Sequence, residues 1–210
     1  MNRNPVWKFP DGDNYYQYQL TLNTTTNYTP EQIHQIGLSE VRRIKEEMWE
    51  ILTSEGYNDT TNSIGEVIQA VNKEDRFLFQ NNDEGRKEVI ARYEEILEEI
   101  NNGLDDAFDI RPKAALEVKR VPEFKEEGSA GAYYEQPAMD GSRGGIFYAN
   151  LRDVTETVKF AMKTLAYHEG IPGHHFQIAI QGELEGVPIF RTFGLFTAYE
   201  IGRASCRERV

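Results

Sequence analysis

The segment from His168 to His175 reads HEGIPGHH, and its proline limits what the surrounding chain can form. Pro172 has no N–H to bond the carbonyl four residues back, and its ring clashes with that carbonyl, so a helix cannot run unbroken through it. Gly170 and Gly173 flank the proline and permit backbone turns that other residues avoid. The chain must therefore break between His168 and His175. Of the four histidines in the sequence, three lie in this stretch, so the break carries most of the available imidazole chemistry.

In the pattern His-Glu-x-x-His, two imidazoles four residues apart share one helix face and hold a zinc ion, and the glutamate takes a proton from the water that the metal activates. His168 and Glu169 supply the first half, but Pro172 stands where the second histidine should be and cannot ligate. On an unbroken helix the residue six beyond His168, His174, would point about 240° away at ~100° per residue. His175, one further, would share the face but lie about 10 Å along the axis. A break that loops out two residues moves His174 into the missing place, and His175 remains the other candidate. The residues thus nominate His168 with His174 or His175 as zinc ligands and Glu169 as general base. The alternative is structural: a surface helix start after Pro-Gly that happens to hold a histidine pair.

The rest of the chain is read from periodicity and caps. Residues 1–28 are rich in Tyr and Thr and read as extended or irregular. Thr29-Pro30-Glu31-Gln32 is a capping box with proline at the first helical position. The helix it opens carries Val41, Ile44, Met48, Ile51 and Leu52 on one face and should stop near Gly56. Ser63 to Glu66 repeats the box for a short helix. A longer helix from about Glu84 has the stripe Val89, Tyr93, Ile96, Ile100 and Leu104, and should end near Phe108. After Pro112, AALEVKRV reads as a strand closed by Pro122, EEGSAGAYYEQPAMDGSRGG as loop, and GGIFYANL (144–151) as a second strand. A helical pattern returns from about Asp153 and carries His168 and Glu169 in its last turns. Phe176 to Leu184 is helical again, with Glu183 and Glu185 at its solvated end. The fold class that follows is mainly α (α+β), with a small sheet next to the helix that bears the histidines.

Composition bounds the partners. Hydrophobic residues make up 39% of the 210 and charged residues 28%, with a formal net charge of -12. That charge repels nucleic acid and anionic membranes. No apolar run approaches the ~20 residues of a membrane span, and the first residues have no apolar core of a signal peptide.

HEGIPGHHFQ resembles the HE-x-x-PGHH motif of the bacterial domain-of-unknown-function family numbered 885, grouped with zincin-like metallopeptidases. PDGDNYYQYQL, TPEQIHQIGLSEV, YYEQPAMDGSRGGIFYANL and ELEGVPIFRTFG resemble the same family in the same order, over nearly all of residues 4 to 199. The resemblance implies a helical, zincin-like metallopeptidase fold. His168 and a histidine of the GHH group would bind zinc, Glu169 would be the base, and a peptide would be the substrate. It also implies an edge strand, IFYANL (146–151), that pairs with the extended substrate. A bacterial source and export of the parent protein are further implications, although no residue here marks export. The other reading of the whole is a non-catalytic helical module that binds a peptide or protein, with structural histidines.

The C-terminus departs from the family. Members continue with a segment like EGWALYxE, whose first glutamate is the expected third ligand, but that position is Ile201 here. The last ten residues, IGRASCRERV, translate one reading frame of a common short-read sequencing adapter, and all but the first base of the Glu200 codon fits the adapter as well. Residues 200–210 therefore read as a scar, and 1–199 as the middle of a longer metallopeptidase-like protein. The only cysteine, Cys206, lies in the scar, which leaves no thiolate ligand or disulfide in 1–199. The 210-residue chain by itself is expected to bind metal weakly and to be inactive.

Overall fold

A computed structural model describes residues 6–58 and 61–193, without the side chains of Trp7 and Phe193. The chain divides into two compact units, which meet between Val71 and Asn72 in the sequence. Residues 200–210, read above as a scar, lie outside the described residues.

The first unit holds three helices: α1 (Gly12–Thr24), α2 (Pro30–Ser54) and α3 (Ile64–Val71). The α2 start forms as the sequence dictates. The Thr29 hydroxyl accepts from the Gln32 N–H, and the Gln32 side chain accepts from the Thr29 N–H. Ser63 and Glu66 make the same reciprocal pair at α3. Gly56, at a φ of 91°, stops the chain after α2 in a conformation that favours glycine. The apolar stripe of α2 lies on one face, yet Val41, Ile44 and Ile51 are exposed and no residue of α2 is buried.

Helix α1 overturns the extended reading of residues 1–28. Tyr15, Tyr18 and Leu22 recur at helical spacing, and Asp13 in the first turn suits the positive end of the helix dipole. The strand preference of Tyr and Thr expresses how well they pack on a half-buried pleated surface, and these three residues are exposed.

The second unit contains α4 (Asp83–Asn102), β1 (Leu116–Arg120), β2 (Ala132–Glu135), β3 (Gly145–Ala149), α5 (Met162–Glu169), α6 (His174–Gly182) and α7 (Ile189–Phe193). Asn82 caps α4 by accepting from the Gly85 N–H, and Asp83 and Glu84 fill its first turn. The helix ends at Gly103 rather than near Phe108, because glycine takes the C-cap position. Leu104 still packs against the core from the turn that follows. The buried stripe Val89, Tyr93, Ile96 and Ile100 meets Val118 of β1, Phe147 of β3, and Met162 and Ala166 of α5.

Three strands form one mixed sheet in the order β1-β3-β2. β1 runs parallel to β3, with Val118 opposite Phe147. β2 runs antiparallel to it, with Tyr134 opposite Phe147. β2 lies within the segment read as loop: four residues between Gly131 and Gln136-Pro137 are too few for a periodic signal. Its presence corrects the expectation for IFYANL. β3 is the central strand, bonded on both sides, and has no edge to offer; β2 does, and it packs beside α5. Helix α5 also starts later than the pattern from Asp153 suggests. The Asp153 carboxylate accepts from the Thr155 N–H and hydroxyl, a local bond that competes with helix. Two short 3-10 turns, Val154–Glu156 and Lys159–Ala161, fill the interval. The result is a mainly helical α+β fold with a small sheet. Among the described residues no helix is long and apolar enough to cross a membrane.

Candidate metal centre

Helix α5 stops at Glu169, where the Gly170 N–H bonds back to the Ala166 carbonyl. Helix α6 starts at His174. Between them Gly170 to Gly173 form a turn with a cis Ile171–Pro172 peptide. The turn folds tightly onto the end of α5. A Cβ on Gly173 would fall on the carbonyl oxygens of Tyr167 and His168, which are backbone and cannot swing aside. Glycine at 173 is therefore a requirement of packing.

The break brings His174 to His168. Their ring centroids are 4.8 Å apart and the rings nearly perpendicular, at 82°. Glu169, only 2% exposed, joins them, with 3.7 Å between its Oε1 and His168 Nε2. One ligand atom from each of His168, Glu169 and His174 lies within 4.8 Å of the others. Two ligands on a tetrahedral zinc, each bonded at about 2.0–2.1 Å, stand roughly 3.3–3.5 Å apart. His168 and His174 supply two imidazoles of the kind zinc takes, with the Glu169 carboxylate beside them. These residues could hold a metal ion.

His175 points elsewhere. It is buried, its Nε2 is 3.1 Å from the Ala114 carbonyl oxygen, and its Nδ1 is 3.0 Å from the Tyr134 hydroxyl on β2. A carbonyl only accepts, so Nε2 carries the hydrogen. Burial pushes the imidazole below its ordinary pKa, opposed by the Ala114 carbonyl and by Glu183. The neutral ring then takes the Tyr134 hydroxyl hydrogen on Nδ1. Gly145 of β3 leaves room for this pair, since a Cβ there would lie 2.6 Å from both His175 Nδ1 and the Tyr134 oxygen. Glu183, expected in solvent, accepts from the N–H groups of Lys113 and Ala114 at 2.8 and 3.2 Å. Helix α6 thus grips the chain leading into β1 from both its ends, and this grip sets where His174 stands. Glu185 is exposed, as expected.

Tyr93 of α4 carries a functional group that its place in the core stripe conceals. Its ring packs edge-on against Phe147, with centroids 4.8 Å apart, and is 2% exposed. It nevertheless lines a cavity together with His168 and Glu169. Burial, and then the charge of Glu169, push its phenol above the ordinary range, so the hydroxyl keeps its proton. Tyr93 has one signal in sequence: a tyrosine in a buried stripe needs a reason for its hydroxyl.

No curated protein matches the chain. Among solved structures, the crystal structure of a "putative lipoprotein" from Colwellia psychrerythraea superposes with a TM-score of 0.89 at 39% identity. The alignment covers 95% of this chain and 34% of that one, so the chain spans about a third of that protein's length. Over residues 1–202 the sequence matches the family described as "Bacterial protein of unknown function (DUF885)", and the chain belongs to that family.

Proposed function

We propose that this chain is the metal-binding part of a zinc-dependent peptidase. The observation that carries the reading is the meeting of His168, Glu169 and His174 across the break between α5 and α6. His168 and His174 would hold the zinc, with a glutamate at the position of Ile201, outside the described residues, as the third ligand. Bound there, zinc supplies Lewis acidity, polarising a carbonyl and making water a nucleophile at neutral pH. Glu169 accepts the proton of the attacking water and delivers it to the amine that leaves. Tyr93 offers its hydroxyl hydrogen to the carbonyl oxygen as negative charge develops there. The substrate backbone lies along β2, the edge strand beside α5. The name of the related Colwellia protein, a lipoprotein, favours an envelope location for the full-length protein.

Metal removal is the direct test. Hydrolysis of an unstructured peptide by the full-length protein stops on treatment with a strong chelator and returns with stoichiometric zinc. Activity that survives complete chelation contradicts the reading.

A further inference from the structure

A cavity of about 370 Å³ opens between β2 and α5, and His168, Glu169 and Tyr93 are among the residues that line it. This is the small end of the range for ligand sites, room for one side chain and its backbone rather than a folded partner. Its walls are mixed, with Asn150, Thr157 and Thr164 beside an apolar patch. Ala132, Ala149, Val158, Met162 and Leu165 supply apolar surface. Apart from the candidate metal residues, the only charged group that lines it is Glu156, whose carboxylate is mostly exposed. No lysine or arginine lines it, so an acidic side chain would leave water for a wall without a basic group, beside a Glu156 carboxylate that Arg152 pairs at 3.4 Å.

The backbone beside it is oriented for an extended chain. The Asn150 N–H donates to the Gly131 carbonyl, which makes Gly131 and Asn150 a hydrogen-bonded pair across β2 and β3. By the alternation of an antiparallel ladder, Tyr133 and Glu135 also turn their backbone groups toward β3, while Ala132 and Tyr134 turn theirs outward. Ala132, which lines the cavity, therefore turns its N–H and C=O away from β3. A peptide that pairs there lies over the cavity, and its side chains alternate toward and away from it.

We propose that this cavity is the specificity pocket of the site: it takes a leucine-sized apolar side chain from a residue next to the bond that is cleaved, and it rejects acidic ones. The proposal rests on the peptidase reading and is finer than it. The site selects extended peptides by one apolar residue, while the β2 edge holds the rest without regard to sequence.

The test uses the full-length protein carrying Glu169→Gln and loaded with zinc, which binds peptide without turning it over. The probes are glycine-serine peptides that differ at one central residue: leucine, alanine or glutamate. Fluorescence anisotropy is expected to show the leucine peptide binding roughly 10- to 100-fold more tightly than the glutamate peptide, with alanine between. Ala161→Trp, at an exposed position on the wall, fills the cavity and removes the preference without loss of zinc. Thr164→Trp, one turn along and also exposed, does the same and guards against a local folding fault in the first variant. Equal binding of the three peptides, a preference that survives both variants, or no binding by zinc-loaded protein overturns the pocket. Failure to load zinc instead overturns the metal reading beneath it.

Discussion

Replacing Glu169 with glutamine lowers peptide turnover by roughly 10²- to 10⁴-fold, the usual contribution of a positioned general base, and leaves bound zinc in place. Glutamine keeps the shape and the hydrogen-bonding oxygen of the side chain but cannot accept a proton. Glu169 is 2% exposed, so its carboxylate is held in place by the surrounding protein. The loss should fall on kcat with little change in KM, because the interaction is made only while the proton moves. Steady-state kinetics with parallel metal analysis reads both quantities. Unchanged turnover would remove Glu169 from the chemistry, and loss of zinc would make it a ligand instead.

The second large effect concerns stability. His175→Ala is expected to destabilise the protein by about 3–5 kcal/mol, since it opens a cavity in the core and leaves two buried polar groups without partners. Those groups are the Tyr134 hydroxyl and the Ala114 carbonyl, each bonded to one nitrogen of the ring. Replacing the exposed His34 by alanine should change stability by less than about 0.5 kcal/mol. Urea unfolding of the three proteins separates the cases. A His175→Ala protein as stable as the parent would show that the ring does not tie α6 to the sheet. The consequence for the metal centre follows from the fold: α6 carries His174, and an α6 released from Ala114 and Tyr134 no longer holds His174 against His168.

The local signals in the sequence were strong where one residue type has one use. The capping boxes at Thr29 and Ser63 name their helix starts, the Val89 to Ile100 stripe names the core face of α4, and Pro172 names the break. Signals failed where the deciding contact is distant. Whether His174 or His175 meets His168 depends on how closely Gly173 approaches the carbonyls of Tyr167 and His168, and on a tyrosine 41 residues away that holds His175. No helical wheel contains either fact. β2 was hidden by its four-residue length, and with it the order of the sheet, so β3 passed for an edge strand although two strands flank it. α1 was hidden because Tyr15 and Tyr18 are exposed on a helix, where their strand preference has no surface to act on. Tyr93 was legible as core and illegible as a site residue, because only the packing of α4 against α5 brings it to the cavity of His168 and Glu169.

The most direct measurement is zinc content, by atomic emission, in the full-length protein and in its His168→Ala, His174→Ala and His34→Ala forms. One zinc per chain is predicted for the parent and for the exposed control, with loss on dialysis from both of the other variants. A parent protein without stoichiometric metal, or a His168→Ala protein that keeps its zinc, would contradict the metal centre and leave the histidines as structural parts of a binding module.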